Sequence, residues 1–352
     1  MNATTVAVDL AKKVFELAVA DGNWGVIERA RLTRSQFERW FANRKVDLVV
    51  MEACGSAHHW GRWLHERGIS VKLLPAQYVR AYVKRNKTDA ADAVALLEAA
   101  RASDIKPVAV KSVEQQALQA LHRTREAWKS TRTRRINTLR GFCREFGLMV
   151  PEGAVQGLAQ IARYVADEHS GLPIILRGSM RLMLEEIRLM EARIGQLEQE
   201  LAQFARQSAV CQAVLSVPGI GLLTSTAMVA AVGNPRSFNS GRRYASFLGL
   251  TPREFSSGEH RHLGRISKRG DRYIRMLLVH GARSILRAAT VVRRAGRHLD
   301  QLKRWALEVQ ARTNHNKAAC ALANKLARIA WAVWVKQENY RSAQAPAEMP
   351  RT

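Results

Sequence analysis

Acidic residues are scarce in this 352-residue chain: 30 Asp and Glu stand against 56 Lys and Arg, a formal charge of +26 and a pI near 10.9. Self-repulsion on that scale weakens any compact state, so the imbalance points to a polyanionic partner. Cysteine is scarce too. Cys54, Cys143, Cys211 and Cys320 form no C-x-x-C pair. That excludes zinc ribbons and disulfide frameworks and fits a reducing cytoplasm. Long apolar runs are missing: the longest, at residues 222–233, is too short to span a bilayer and carries threonine and serine. Residues 1–5 have neither the basic start nor the apolar core of a secretory signal. The expectation is a cytoplasmic protein with no membrane segment. What remains is ordinary, 47% apolar and 24% charged, which excludes wholesale disorder and collagen-like repeats. The length predicts two or three domains.

The positive charge is unevenly spread. Residues 1–110 hold 17 basic and 12 acidic side chains, 111–150 hold 9 and 3, 151–210 hold 6 and 8, and 211–352 hold 24 and 7. A nearly balanced head, a short basic stretch and an acidic middle therefore precede a very basic tail. An excess of +17 confined to that tail points to nucleic-acid contact.

The head alternates strand and helix patterns. Residues 4–10, 14–20 and 25–32 read as strands, with an Asp21-Gly22 turn signal between the last two. Helical patterns at 35–43, 57–67 and 88–102 alternate with strands at 47–53 and 69–74, the first a continuous apolar run of the kind buried on both faces. Residues 112–147 read as one long helix or two, opened by a Ser112/Gln115 capping box and crowded with arginines that include Arg132 and Arg135. From Met180 to Phe204 eight apolar residues recur at spacings of three and four. That seam suits a coiled coil or the packed stripe of a bundle helix equally, and its acidic balance marks a protein-contacting segment. Beyond residue 211 the chain reads as mostly helical, and 340–352 as a frayed polar tail.

Asp9 and Glu52 each end a predicted strand, and Asp89 and Asp92 lie three apart on one helical turn. In a sheet whose first and fourth strands are neighbours these acids converge. Four carboxylates would repel one another unless a cation shared them, and hard oxygen ligands suit Mg²⁺ or Mn²⁺. Two such ions would clamp a phosphodiester for in-line displacement. Each acid alone is more simply a helix-start or surface group; the set of four at element ends is what carries the argument. The order is that of a ribonuclease-H-like fold, as in Holliday-junction resolvases.

Three motifs sharpen this: Val8-Asp9-Leu10-Ala11-Lys12, Met51-Glu52-Ala53-Cys54-Gly55 and Asn86-Lys87-Thr88-Asp89-Ala90-Ala91-Asp92-Ala93. Together they closely resemble the DEDD-type transposases of the Insertion Sequence 110 family, which have a RuvC-like first domain. The second half adds Pro218-Gly219-Ile220-Gly221 before a helix, which looks like a helix-hairpin-helix turn offering Gly219 and Gly221 N–H groups to phosphate. A tight turn between helices is the plainer alternative. Residues 247–258 and 264–271 follow, and with that turn they are similar to the family's second domain. The resemblance covers 4–105 and 211–290. It implies a DNA transposase guided by a structured non-coding RNA, acting on double-stranded DNA as a homodimer or homotetramer in the bacterial cytoplasm at the nucleoid. It also implies a serine nucleophile, matched by Ser257, with adjacent Ser256 as the alternative.

A serine hydroxyl needs a base or a metal. His260 and His262 lie near but form no triad pattern, so activation by the acid-held metal is the economical expectation. Arg265, Lys268, Arg269 and Arg272 follow the serine loop and suit phosphate contact. His58 and His59 are adjacent, so they point to different helix faces and share no metal. The expected architecture is thus α/β plus α: a nuclease domain at 1–110, a basic long helix and coiled-coil region at 111–210, a serine-bearing mostly helical domain at 211–340 and a disordered tail at 341–352. The rivals are a metal-dependent junction nuclease without serine chemistry and a non-enzymatic nucleic-acid-binding protein.

Overall fold

The apolar run near residue 50 forms a strand buried inside a sheet, as a run with no polar face must. The computed structural model describes residues 5–42, 44–83 and 89–341, with side chains from 91 in the last stretch. Residues 86–88 of the third motif and 342–352 of the tail lie outside these. The chain divides into two compact units, residues 1–116 with 232–234, and 117–231 with 235–352.

The first unit runs β1 (Thr5–Leu10), β2 (Val14–Ala20), β3 (Val26–Thr33), α1 (Arg34–Ala42), β4 (Leu48–Glu52), α2 (Ala57–His65), β5 (Ser70–Leu74), α3 (Ala76–Val79) and α4 (Asp89–Arg101). The sheet order is β3-β2-β1-β4-β5. The first three strands form an antiparallel meander, while β4 and β5 run parallel to β1, reached through α1 and α2. Alternation along each strand sorts the core into two layers. On one face Val6, Val8, Phe15 and Met51 meet Phe37 of α1 and Trp60 of α2. Phe15, Phe37 and Trp60 pack edge to face at 5.0–5.3 Å, an arrangement favoured by the ring quadrupoles. On the other face Ala7, Ala18, Val50 and Leu74 meet Ala93, Leu96, Leu97 and Ala100 of α4. The small residues of that layer let α4 lie close against β1. Phe37→Ala would cost about 3–5 kcal/mol in the aromatic layer.

The second unit comprises α5 (Val113–Glu145), α6 (Ala154–Ala166), α7 (Ile174–Gln207), α8 (Ala209–Leu215), α9 (Leu222–Ala231), α10 (Gly241–Phe247), β6 (Pro252–Glu254), β7 (Leu263–Ile266), α11 (Arg272–Arg294), α12 (Gln301–Arg312) and α13 (His315–Lys336). The division between units falls within the first turn of α5. Residues 112–147 make one helix, not two, and its capping box forms: Gln115 N–H donates to Ser112 Oγ at 3.1 Å and Ser112 N–H to Gln115 Oε1 at 3.0 Å. The heptad seam lies on α7, longer than its pattern suggested. Met180, Leu184 and Ile187 are buried with Ile136, Leu139 and Cys143 of α5 and Ile161 and Val165 of α6. Arg125–Glu198, Arg132–Glu191 and Arg135–Glu186 pair at 2.6–2.7 Å. Rising numbers on α5 meet falling numbers on α7, so the two helices are antiparallel. The seam is therefore covered by its own chain.

Among the described residues α13 is the one helix long and apolar enough to cross a membrane, at mean hydropathy 1.2. Half of it is buried in this fold, where Leu322, Leu326 and Ala330 join the core beside α10, α11 and α12.

Candidate functional site

The parallel register of β1 and β4 aligns Val8 with Met51. One residue further, Asp9 and Glu52 stand at the ends of neighbouring strands, both half-buried. They share a sheet face with Ala7 and Val50, the face that α4 covers. On α4, Asp89 and Asp92 precede the core residues Ala93 and Leu96 by four, so they lie on the sheet-facing stripe at the helix N-terminus. Asp89 is placed by its backbone; its side chain is outside the described set. Among the described residues no group of three or more His, Cys, Asp or Glu side chains is arranged to hold a metal ion.

One atom speaks for a cation here. Among the described residues Asp92 Oδ1 is buried with no hydrogen-bond partner. A helix N-terminus favours an acid through its dipole, but that does not explain an oxygen taken out of water without a donor, which costs about 1–3 kcal/mol or more. An orphaned carboxylate oxygen of this kind suits a hard divalent cation.

His58 belongs to a different arrangement. Its Nδ1 accepts the Lys111 backbone N–H at 3.1 Å. Burial, then the Lys111 and Arg62 charges, push its pKa down to about 4. It is a neutral acceptor joining α2 to the following segment, while His59 is exposed beside Trp60.

Ser257 sits in the second unit at the tip of the β6–β7 hairpin. Its backbone pairs with His260 in both directions, at 3.2 and 3.1 Å, around the turn residues Gly258 and Glu259. Gly258 takes φ +55°, the glycine-first pattern of two-residue hairpin turns. Ser257 is exposed, and among the described residues its hydroxyl makes no side-chain hydrogen bond. Ser256 differs. Its Oγ donates to Glu254 Oε1 at 2.9 Å and accepts His262 N–H at 3.2 Å, and Arg261 pairs with the same carboxylate. Ser256 is thus tied into the hairpin, while Ser257 is left facing solvent. His260 and His262 serve the hairpin through their backbones.

The basic candidates fall into two classes. Arg265, Lys268, Arg269 and Arg272 are exposed, and among the described residues none forms an ion pair. Lys268 holds φ +56°, a conformation that costs a non-glycine residue on the order of 1 kcal/mol or more. It arises where two loops cross: a Cβ on Gly249 would lie 1.9 Å from Arg269 O, and one on Gly270 1.8 Å from Phe247 O. Arg132 and Arg135, in contrast, are held by α7 glutamates. Gly219 lies in a turn packed on α11, with φ +79° and its carbonyl 2.0 Å from where a Cβ on Gly281 would stand. That close approach accounts for the glycine without a phosphate. Gly221 is exposed just before α9. Lys317, Lys325 and Arg328 on α13 escaped the sequence reading. Their spacing of 8 and 3 puts them on one helical face, a signal masked by the helix's alanine-rich core stripe.

A family profile described as "Transposase IS116/IS110/IS902 family" matches residues 211–297, and a second, described as "Transposase", of the DEDD IS110 type, matches 6–147. The chain is 41% identical over 342 residues to a "Probable family 20 transposase" of Pseudomonas aeruginosa, covering 97% of this chain and 99% of that protein. It is 40% identical over 337 residues to the transposase for insertion sequence element IS1111A of Coxiella burnetii, covering 96% and 91%. To the transposase for insertion sequence element IS1328 of Yersinia enterocolitica it is 35% identical over 334 residues, covering 94% and 97%.

Proposed function

This chain belongs to the IS116/IS110/IS902 family of transposases, and from that membership we propose that Ser257 is its nucleophile and that Asp9, Glu52, Asp89 and Asp92 hold its metal. It is a DNA transposase. The first unit is read as a ribonuclease-H-like nuclease fold, supported by an antiparallel meander extended by two parallel strands. The turn at 218–221 is read as helix-hairpin-helix-like. The four sequence domains are kept as 1–110, 111–210, 211–340 and 341–352.

The observation that carries the reading is the partnerless Asp92 Oδ1 on the helix face shared with the strand-end acids. Mg²⁺ or Mn²⁺ bound there would lower the pKa of an oxygen it touches and neutralise charge on phosphate. The protein's part is to hold oxygens at fixed positions and to present Ser257 on a solvent-facing hairpin tip. The Ser257 oxygen loses its proton and bonds to phosphorus; the bond from phosphorus to the sugar oxygen breaks, and that oxygen takes a proton. The phosphoserine link conserves the phosphodiester, so a second strand's hydroxyl can displace serine and rejoin DNA without an external energy source. Ser256, already donating to Glu254, is a hairpin brace. An element-encoded guide RNA and a homodimer or homotetramer at the nucleoid complete the reading. They rest on the family resemblance and on the basic second unit.

The test is a supercoiled plasmid bearing the element's ends, assayed for covalent protein–DNA adduct and for excision. Asp9→Ala and Ser257→Ala are each expected to lower both at least 100-fold. Ser256→Ala should keep the adduct within about tenfold of wild type. Full cleavage by Ser257→Ala would instead favour a metal-dependent nuclease in which the serine is a loop residue.

A further inference from the structure

The second unit holds a cleft of about 2180 Å³ between the β6–β7 hairpin, α10, α12 and α13. Arg242, Arg265, Lys268, Lys317, Lys325 and Arg328 line it, and no carboxylate does. In a chain with 30 acidic residues, six cations around one cavity with no acid among them is a concentrated positive field. Among the described residues none of the six forms an ion pair, in contrast to the arginines of α5. Two tryptophans, Trp305 and Trp331, also line the cleft, both half-buried. Lys325 Nζ lies 4.1 Å from the Trp305 ring centroid. In this cation–π stack the ammonium sits over one face of the ring, so a charge for a phosphate and an aromatic surface for a base belong to one contact. Burial, then the Arg328 charge, lowers the Lys325 pKa, so an anion bound beside it would favour its charged form. Trp331 is fixed, its Nε1 donating to Pro235 O at 2.8 Å. The hairpin forming one wall, through Leu263, Gly264 and Arg265, is the one that carries Ser257 at its tip.

We propose that this cleft binds a single strand of DNA, the strand joined to or leaving Ser257, through phosphate contacts from α13 and β7 and base stacking on Trp305. A basic groove with interleaved aromatics is the chemistry of single-strand binding rather than duplex readout. The choice of DNA rests on the Ser257 reading, because the wall is continuous with the serine hairpin.

The test uses full-length Ser257→Ala protein with a chelator present, so that no strand chemistry enters. It measures fluorescence anisotropy of a labelled 15-nucleotide DNA strand, the RNA of the same sequence and the corresponding duplex across a salt series. Lys317→Ala/Lys325→Ala/Arg328→Ala is expected to weaken single-stranded DNA binding at least tenfold and to flatten the log–log salt slope by about 2, since each phosphate contact on a single strand contributes about 0.7. The charge-keeping set Lys317→Arg/Lys325→Arg/Arg328→Lys should restore both, which guards against misfolding. Trp305→Ala should cost about tenfold and Trp305→Phe much less. Removing Arg293, Arg294 and Lys336 outside the cleft should change affinity less than threefold. Wild-type affinity and slope in the α13 triple variant would overturn the proposal. So would loss confined to RNA or to duplex. Failure of the serine reading appears separately, as cleavage retained by Ser257→Ala under Mg²⁺.

Discussion

At the scale of single residues, Asp92 is the most informative. Among the described residues its Oδ1 is buried without a donor, and Asp9 and Glu52 stand at the ends of the neighbouring strands. A cation shared by these carboxylates, as proposed above, would offset the cost of burying that oxygen. Asp92→Asn should therefore raise the melting temperature in chelator by about 4 °C, the shift that about 1 kcal/mol gives a unit of this size. The Mg²⁺-dependent rise expected of the wild type should vanish in that variant. Thermal melts with chelator and with Mg²⁺ measure both, and an undiminished Mg²⁺ shift in the variant would remove Asp92 from the site. Lys268 offers a second test. Its φ of +56° suits glycine, so Lys268→Gly should stabilise by about 0.5–1 kcal/mol while weakening DNA binding. A urea melt and a binding isotherm separate the two effects.

At the scale of elements, the long helices are tied together by groups that the sequence presented for other uses. The Arg132–Glu191 pair joins α5 to α7, with side chains 24% and 43% exposed. Exposed pairs contribute about 0.2–1 kcal/mol. Arg132→Glu and Glu191→Arg should each destabilise by about that much, and the double reversal should recover most of it in a urea double-mutant cycle. His122 binds α5 to α9 and α11. Thr226 Oγ1 donates its proton to Leu222 O at 2.7 Å, so it accepts from His122 Nε2 at 3.0 Å, which leaves Nδ1 to accept from Tyr273 OH at 3.1 Å. The ring is 3% exposed. Burial, then the Arg125 charge, lowers its pKa from 6.5 to about 4, with Asp271 opposing. Between those values the unfolded chain holds a proton that the folded chain refuses. Stability therefore falls as pH drops from 6.5 towards 4 and is full above 6.5. The loss reaches about 3 kcal/mol at most. Urea midpoints at pH 7.5 and 5 should show it, and His122→Gln should be less stable at pH 7.5 but flatter with pH. His58, lowered to about 4 in the first unit, acts in the same direction.

At the scale of the whole molecule, charge decides behaviour. With +26 overall and most of it beyond residue 211, binding to duplex DNA should be dominated by counterion release. Affinity should fall at least about 1000-fold between 50 and 200 mM salt, the range for six or more phosphate contacts. A loss under tenfold would mean that few of the free cations of the second unit meet phosphate.

Much of the first unit was legible in the sequence because strand and helix periods are local. The run near residue 50 had no polar face to expose, so it became an inner strand, and Asp9 and Glu52 fell at strand ends as their positions required. The Ser112/Gln115 box needed only a four-residue window. The sequence by itself determined the charge imbalance, the element order and the residues available for chemistry, because these depend on composition and on neighbours along the chain. Tertiary structure decided which of those residues are already engaged. Arg132 and Arg135 had the composition of a nucleic-acid contact, yet glutamates more than fifty positions away claim them, and the heptad seam on α7 found its cover within the same chain. Lys317, Lys325 and Arg328 belonged to the undivided basic excess beyond residue 211 until packing brought them to one cleft beside the serine hairpin. Partners across such sequence separations are chosen by burial and packing, which no local period encodes.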